Sequence, residues 1–143
     1  MAMDFSPKFA ILTGEWNRSF EALMTTKQCV VAVPGADLME ASVRIGACSG
    51  TDVDKFHEFK LTPMKAKRVC APLIGECLYD IECVVADWIP KHGIVVLEGV
   101  QAWENPERCE RRMFHAVGDG TFRIDWETIS LRHLMEEKLP PGV

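Results

Sequence analysis

The stretch SGTDVDKFHEF, residues 49 to 59, is the most informative segment of this 143-residue chain. Thr51 and Asp54 have the spacing of a capping box, with Asp in place of the usual Glu or Gln. Val53, Phe56 and His57 then fall on one side of a helix. The pattern therefore predicts a short amphipathic helix that begins at Thr51.

The residues before this segment predict two strands and two helices. The strands are Lys8 to Leu12, after the breaker Pro7, and Cys29 to Val33, before Pro34-Gly35. The helices run from about Phe20 to Thr26 and from Asp37 to about Ile45. Either Asn17 or Ser19 can cap the first of these helices.

After Pro63 the sequence changes to long β-rich stretches: Arg68 to Gly75, Glu76 to Asp87 and Gly93 to Trp103. In the middle stretch Leu78, Asp80, Glu82 and Val84 alternate with the residues between them, which predicts a strand with one face mostly buried. Residues 90–93 (PKHG) predict the turn of a long hairpin, and Gly118-Asp119-Gly120 the turn of a shorter one.

The last predicted element is an amphipathic C-terminal helix from Glu127 to Leu139. Together these patterns indicate an α+β chain, mainly antiparallel β, built on a sheet or barrel with short inserted helices. No repeat, linker or low-complexity tract divides the chain, so we expect a single domain over residues 1–143.

Composition excludes several classes of function. A formal charge of −5 argues against nucleic-acid and anionic-membrane partners, which need a basic surface. The sequence has no apolar run of membrane-spanning length and no signal peptide, so we expect a cytoplasmic protein. The six cysteines form no CxxC pair and the four histidines are scattered, so we expect free, mostly buried thiols and no metal site.

Several strings, in order and at these spacings, resemble the flavin reductase-like (flavoredoxin) FMN-binding family. They are Asp4-Phe5-Ser6-Pro7, CVVAVP (29–34), SGTDVDKF (49–56), LTP (61–63) and APLIGEC (71–77). The resemblance runs to about Gly120. It implies a six-stranded split β-barrel, a homodimer with FMN near the dimer interface, and either reduction of flavin by NAD(P)H or electron transfer through bound FMN.

Family members also carry an N-terminal segment ahead of the part that matches residues 4–7, and this sequence starts just after it. A barrel without its first strands exposes unpaired edges, which tend to be covered by another chain.

Residues 17–19 lie between a strand and a helix start. The Asn17 amide, Arg18 guanidinium and Ser19 hydroxyl, with free helix N–H groups, can form a phosphate cradle. The residues alone favour a capped helix with a solvated Arg over a phosphate cradle. The resemblance implies that a Ser or Thr at this turn contacts the flavin nucleotide.

Lys55 has two interpretations. A lysine on an amphipathic helix is usually a solvated surface residue, whereas the resemblance implies that Lys55 approaches the flavin as a ring or ribityl donor. Asp52 and Asp54 are better explained as charges complementing a helix N-terminus than as catalytic acids. Trp16 could stack on a ring, and His115 could be a satisfied strand histidine or line the nucleotide site.

These observations predict a flavin-dependent oxidoreductase with FMN as cofactor and NAD(P)H as a transient co-substrate. We expect no catalytic side chain, because the flavin carries the chemistry. The sequence has no dinucleotide-binding glycine fingerprint. The alternatives are a non-catalytic FMN-binding electron carrier, which accepts electrons from another enzyme, and a flavin-free degenerate scaffold. A redox partner or flavin acceptor is implied in the first two cases.

Overall fold

The computed structural model describes residues 6–124 and 127–134. They form two compact units. The first comprises the described residues up to 32, with 62–75 and 79–104; the second comprises 33–61, 76–78 and the described residues from 105 onward. The single domain expected over residues 1–143 stays a prediction.

The first unit is built on a sheet whose strands are β1 (Lys8–Leu12), β2 (Gln28–Val33), β5 (Tyr79–Ile89) and β6 (Ile94–Glu104). Their order is β1-β6-β5-β2, and both β1 and β5 pair antiparallel with β6. Helix α1 (Arg18–Thr26) connects β1 to β2, and a two-stranded ladder pairs β3 (Pro63–Met64) with β4 (Leu73–Ile74). The predicted strands at residues 8–12 and 29–33 are confirmed.

The core of the first unit lies where α1 covers one face of the sheet. Leu23 from α1 packs with Cys83, Val95 and Leu97 from β5 and β6. Around them lie partly buried apolar side chains, including the Phe20 and Trp88 rings, whose centroids are 5.0 Å apart. The apolar face of α1 therefore determines how the helix lies on the sheet.

The hairpin between β5 and β6 turns at residues 90–93, as predicted. Pro90–His92 form one 3-10 turn, and Gly93 follows at φ 63°, a left-handed conformation that glycine adopts without strain. The ladder shifts register between Glu82 and Cys83. Because a β-bulge interrupts the alternation of side chains, these two consecutive residues are both fully buried.

The second unit contains α2 (Met39–Ala47), α3 (Lys55–Glu58) and an antiparallel sheet of β7 (Phe114–Ala116), β8 (Thr121–Ile124) and β9 (Glu127–Ser130). Ala36 and Met39 pack against Phe122 and Ile124. The shorter predicted hairpin is confirmed, since β7 and β8 pair across the Gly118-Asp119-Gly120 turn, where both glycines have positive φ.

Four predicted boundaries differ from the structure. The helix expected from Asp37 starts as a 3-10 turn and becomes α2 only at Met39. The helix expected at Thr51 begins at Lys55, because the residues before it form a turn around the Ser49 carbonyl. The β-rich stretches predicted at 68–75 and 76–87 are regular strand only at 73–74 and from Tyr79.

The helix predicted from Glu127 to Leu139 is the fourth difference. Residues 127–130 instead form β9, in which Ile129 pairs with Phe122 and packs on the second core. Strand pairing and burial here override a helical pattern. A 3-10 turn follows at Arg132–Leu134, and residues 135–139 lie outside the described part of the chain. No helix in the described residues is long and apolar enough to cross a membrane.

Candidate functional site

The residues predicted to form a phosphate cradle lie at the start of α1, on the surface of the first unit. Asn17 is the N-cap, and its Oδ1 accepts a hydrogen bond from the Ser19 backbone N–H at 3.0 Å. This is the capping role expected for Asn17, because a cap must satisfy helix N–H groups that have no carbonyl partner. Residues 16–19 are all exposed. A polar helix N-terminus therefore faces solvent.

Arg18 and Ser19 provide the other donors of this turn. The Arg18 guanidinium lies 2.7 Å from Glu21 Oε2, in a pair whose side chains are 57% and 79% exposed. Such an exposed pair is weak and can exchange for a stronger anion. Within the described residues, the Ser19 hydroxyl has no side-chain hydrogen bond. These residues can therefore hold a phosphate, provided that Arg18 releases Glu21.

Trp16 precedes this turn and is 79% exposed. Its ring lies over Gly14, where an added Cβ would fall 2.1 Å from a ring carbon. Gly14 is therefore required for the ring to take this position. The predicted stacking of Trp16 on a ring stays a prediction, although the exposure leaves one face of the indole accessible.

The SGTDVDK segment forms a turn in the second unit. The Asp52 and Val53 backbone N–H groups both donate to the Ser49 carbonyl, at 3.1 and 3.2 Å. The Ser49 and Thr51 hydroxyls hydrogen-bond to each other. Thr51 is therefore part of the turn and does not cap a helix. Residues 50–55 line an open groove of about 490 Å³.

Lys55 is the first residue of α3 and one wall of this groove. Its Nζ donates to the Ile45 carbonyl at 2.8 Å, near the C-terminal end of α2, where unpaired carbonyls carry partial negative charge. An ammonium has three protons, so two remain for another acceptor. Asp54 caps α3 by accepting from the Phe56 and His57 N–H groups, which confirms its helix-terminal role.

A buried carboxylate that the sequence interpretation missed organises the loop after β3. Glu82 has no exposed surface. Its two oxygens accept from three consecutive backbone N–H groups, those of Lys67, Arg68 and Val69, and from the Trp103 indole N–H at 2.6 Å. Burial raises the pKa of Glu82, but the four donors outweigh that effect and lower it below the usual value. Glu82 is therefore held as an anion.

Asp80 lies two residues away on β5, and its pKa is shifted in the opposite direction. It is 6% exposed, with Oδ2 accepting from the Ile74 N–H at 3.3 Å. Its Oδ1 is buried without a hydrogen-bond partner in the described residues. Burial raises the pKa of Asp80 to about 6, and the single backbone donor offsets only part of that rise. The alternation from Leu78 to Glu82 contains the signal for this face, because two carboxylates occupy positions that the pattern assigns to one side of a strand.

The cysteines are free in the structure, but not all are buried as expected. Cys77 and Cys83 are buried, whereas Cys70 and Cys109 are exposed. Burial, together with the adjacent Cys29 thiol, raises the pKa of Cys83 to about 12. A thiol so disposed stays protonated and unreactive near neutral pH. His115 lies on strand β7, opposite Arg123, as a strand histidine, and its side chain is exposed.

The four predicted site residues thus belong to two different units. Asn17, Arg18 and Ser19 are adjacent at the start of α1 in the first unit. Lys55 lies in the second unit at the start of α3. Exposed amide, hydroxyl and guanidinium donors suit a phosphate, and an ammonium with spare protons suits flavin carbonyls. Each set fits the part of FMN for which it was predicted.

The described residues have an α+β fold of mainly antiparallel strands, the split-barrel fold class. This chain belongs to the flavin reductase like family: the model of the flavin reductase like domain matches residues 1–119. An uncharacterized protein of Archaeoglobus fulgidus is 30% identical over 84 residues, which cover 58% of this chain. The matched part spans about half, 48%, of that relative's length.

Solved structures have the same fold at low sequence identity. Flavoredoxin of Desulfovibrio vulgaris (Miyazaki F) has a TM-score of 0.73 at 19% identity, covering 87% of this chain and 73% of that one. The FMN-binding domain of a flavin reductases-like enzyme from Shewanella baltica OS155 has a TM-score of 0.73 at 16% identity, and the match covers 86% of this chain and 73% of that one. The NADH:FAD oxidoreductase of Streptomyces globisporus C-1027 has a TM-score of 0.63 at 20% identity, and the match covers 87% of this chain and 69% of that one. These alignments confirm the predicted fold class.

Proposed function

We propose that this chain binds FMN and acts as an oxidoreductase that takes hydride from NAD(P)H. The observation that carries the proposal is the exposed, capped N-terminus of α1, whose donors suit a phosphate, in a chain of the flavin reductase like family. Bound FMN would supply the hydride acceptor. The residues of this chain would bind and orient it, and none is assigned a proton-transfer role.

At the phosphate end, Ser19 would donate its hydroxyl, Asn17 its amide N–H and Arg18 its guanidinium. Asn17 already uses its oxygen to cap the helix, so the amide nitrogen is the part that remains for a ligand. The partial positive charge of the α1 N-terminus would add to the attraction. The exposed Arg18–Glu21 pair would open at small cost.

At the ring end, Lys55 would donate to a flavin carbonyl and stabilise the negative charge of reduced flavin. The bond from Nζ to the Ile45 carbonyl fixes the ammonium at one wall of the groove formed by residues 50–55. A positioned cation costs less to order on binding than a freely rotating one. This role concerns Lys55 alone and is tested separately from the α1 residues.

Titration of FMN fluorescence against purified protein tests both assignments. We expect Ser19→Ala and Lys55→Ala each to weaken FMN binding about tenfold, the loss of one charge-assisted or ligand hydrogen bond. Ser130→Ala and Lys91→Ala, at exposed positions, are the matched controls. Unchanged affinity in both Ser19→Ala and Lys55→Ala would remove the assignment and leave the fold intact.

Two further functions are distinguished by anaerobic mixing with NADH and with NADPH. The similarity to a flavoredoxin favours an FMN-binding electron carrier that another enzyme reduces. Bleaching of bound flavin by either nucleotide supports the reductase. FMN that stays oxidised with both nucleotides excludes the reductase in favour of the carrier. A colourless protein that does not quench added FMN fluorescence would instead indicate a flavin-free scaffold.

We also propose that the chain forms a homodimer. In support, Leu12, Ile94 and Ile89 lie in one cross-strand row at the end of the first sheet, with Leu12 79% and Ile89 37% exposed. Among the strands of the described residues, β1 is also an edge strand, and unpaired strand edges tend to be covered by another chain. Light scattering after gel filtration measures the mass, and a monomer at micromolar concentration refutes this part. A cytoplasmic location and a redox partner stay predictions.

A further inference from the structure

The loop from β3 to β4 forms a second groove, outside the residues assigned to FMN. It has a volume of about 450 Å³, and its apolar wall consists of Pro63, Met64, Ala66, Val69 and Pro72. Lys65 and Cys70 complete the lining. Small-molecule sites span roughly 300–1,000 Å³ and are mostly apolar with a few polar groups, so this groove has a suitable size and composition.

The charge of this loop is opposite to that of the chain as a whole. Residues 62–75 contain Lys65, Lys67 and Arg68 and no acidic residue, whereas the chain has a formal charge of −5. All three side chains are exposed. Within the described residues, none of them forms an ion pair or a side-chain hydrogen bond. Lys65 lines the groove, and Lys67 and Arg68 lie in the same loop, so this loop offers three cationic groups to an anionic ligand.

Two side chains from outside the loop hold its main chain by hydrogen bonds. Glu82 takes the backbone N–H groups of residues 67–69, and the Cys70 N–H donates to Gln28 Oε1 at 2.9 Å. A groove that is already ordered loses little entropy when a ligand binds. Because these N–H groups are occupied, an anion at the surface would be bound by the lysine and arginine side chains.

We infer that this groove binds the adenosine end of a nicotinamide nucleotide and prefers the form with a 2′-phosphate, NADPH. This rests on the proposed function, in which such a nucleotide is the reductant. The flat adenine ring would lie against the proline and valine side chains, with the Met64 and Cys70 sulfurs at its edge, a favourable contact for aromatic rings. The 2′-phosphate would be bound by Lys65, Lys67 and Arg68, and a guanidinium can hold phosphate through two parallel hydrogen bonds.

Calorimetric titration of the purified protein, with its flavin, tests the inference without any redox step. The probes are adenosine 2′,5′-bisphosphate and adenosine 5′-monophosphate, which differ only in the 2′-phosphate. We expect the bisphosphate to bind at least about tenfold more tightly, as phosphate contacts to several cations provide. Lys65→Gln/Arg68→Gln should remove this difference. The double variant Lys8→Gln/Lys91→Gln changes the net charge equally at exposed positions and should preserve it.

Alkylation by iodoacetamide, followed by mass spectrometry, locates the bound probe. Cys70 lines the groove and is exposed, so saturating bisphosphate should slow its modification severalfold. Cys109 is exposed in the second unit and serves as the internal control. Equal rates at Cys70 with and without the bisphosphate would overturn the assignment of the groove.

Failure of this inference and failure of the proposed function give different results. Equal affinity for the two probes, or equal losses in the two double variants, overturns the 2′-phosphate preference even if NADH and NADPH both bleach the flavin. If neither nucleotide bleaches the flavin, the reductase function fails. Bisphosphate selectivity and Cys70 protection would then still support a nucleotide site in this groove.

Discussion

Two loops of this protein line grooves, and they are held in place by different kinds of contact. The turn at residues 49–55 is closed by nearby groups: Ser49 accepts from Asp52 and Val53, and Lys55 reaches back ten positions to Ile45. The loop at residues 65–72 is held by Glu82, 13 to 15 positions further along the chain. The first loop is specified by its own sequence, whereas the second depends on a residue that the fold brings beneath it.

The largest effect should come from removing the charge beneath the second loop. We expect Glu82→Gln to lower the free energy of unfolding by about 3 kcal/mol, because an amide cannot satisfy four buried donors that face a carboxylate. Urea denaturation measures the loss. Trp103 fluorescence should change as well, because its indole N–H donates to Glu82.

The control for this experiment is Glu21→Gln, which removes a carboxylate from an exposed pair with Arg18. It should cost less than about 1 kcal/mol, as surface pairs do. If Glu82→Gln were no more destabilising than Glu21→Gln, the proposed anchoring of the 65–72 loop by a long-range carboxylate would be wrong.

A smaller effect with the opposite sign is expected at Asp80, which shares this strand. Its pKa of about 6 in the folded chain lies above the ordinary value of 3.8. Between about pH 4 and 6 the unfolded chain releases a proton that the folded chain retains, so this group lowers stability as pH rises through that window. Asp80→Asn should remove this slope and stabilise the protein at pH 7 by about 1–2 kcal/mol.

Urea denaturation at pH 4 and pH 7 measures this change. The unsubstituted protein and the Asp80→Asn variant should differ in their free energies of unfolding only at pH 7. Glu82 should act in the opposite direction, because its pKa is lower in the folded chain than in the unfolded chain. Its ionised form stabilises the folded chain above the unfolded pKa, and this stabilisation is lost in acid. An Asp80→Asn variant that is destabilised equally at both pH values would contradict the predicted cost of the buried Asp80 charge.

The smallest effect should come from the locally specified turn. Asp54→Ala removes the cap of α3 and should cost about 1 kcal/mol. Hydrogen exchange at the Phe56 and His57 amides should accelerate, since both donate to Asp54. Asp52→Ala is the matched control, because the Asp52 side chain is exposed and forms no hydrogen bond within the described residues. Equal acceleration in both variants would contradict the capping role.

The same contrast explains how much of the fold was predictable. Strand β1 and the helix cap at Asn17 follow from short sequence patterns and are confirmed. The segment 127–130 was wrongly predicted as helix, because its strand conformation depends on pairing with β8. Helix α3 starts four residues later than its pattern indicates, since hydroxyl groups of neighbouring residues compete with the capping box.

The candidate site divides in a similar way. The sequence strings and the family resemblance predict Asn17, Arg18, Ser19 and Lys55 as site residues, and that assignment stays a prediction. The groove at residues 63–72 was not identified, because its shape comes from Glu82 and Gln28, which are distant in sequence. Two acidic residues at alternating positions in the first half of β5 were the visible sign of Glu82, but sequence alone does not show what a buried carboxylate binds.

Because Glu82 binds main-chain groups, residues 67 and 68 of the loop can be substituted without loss of its hydrogen bonds. Glu82 accepts hydrogen bonds from the backbone N–H groups of residues 67 and 68, and none from their side chains within the described residues. Any residue except proline supplies the same N–H, so both positions can mutate without disturbing the loop. Ligand preference could therefore drift, or be engineered, by surface substitutions on an unaltered backbone. The fold would tolerate this variation at little cost in stability.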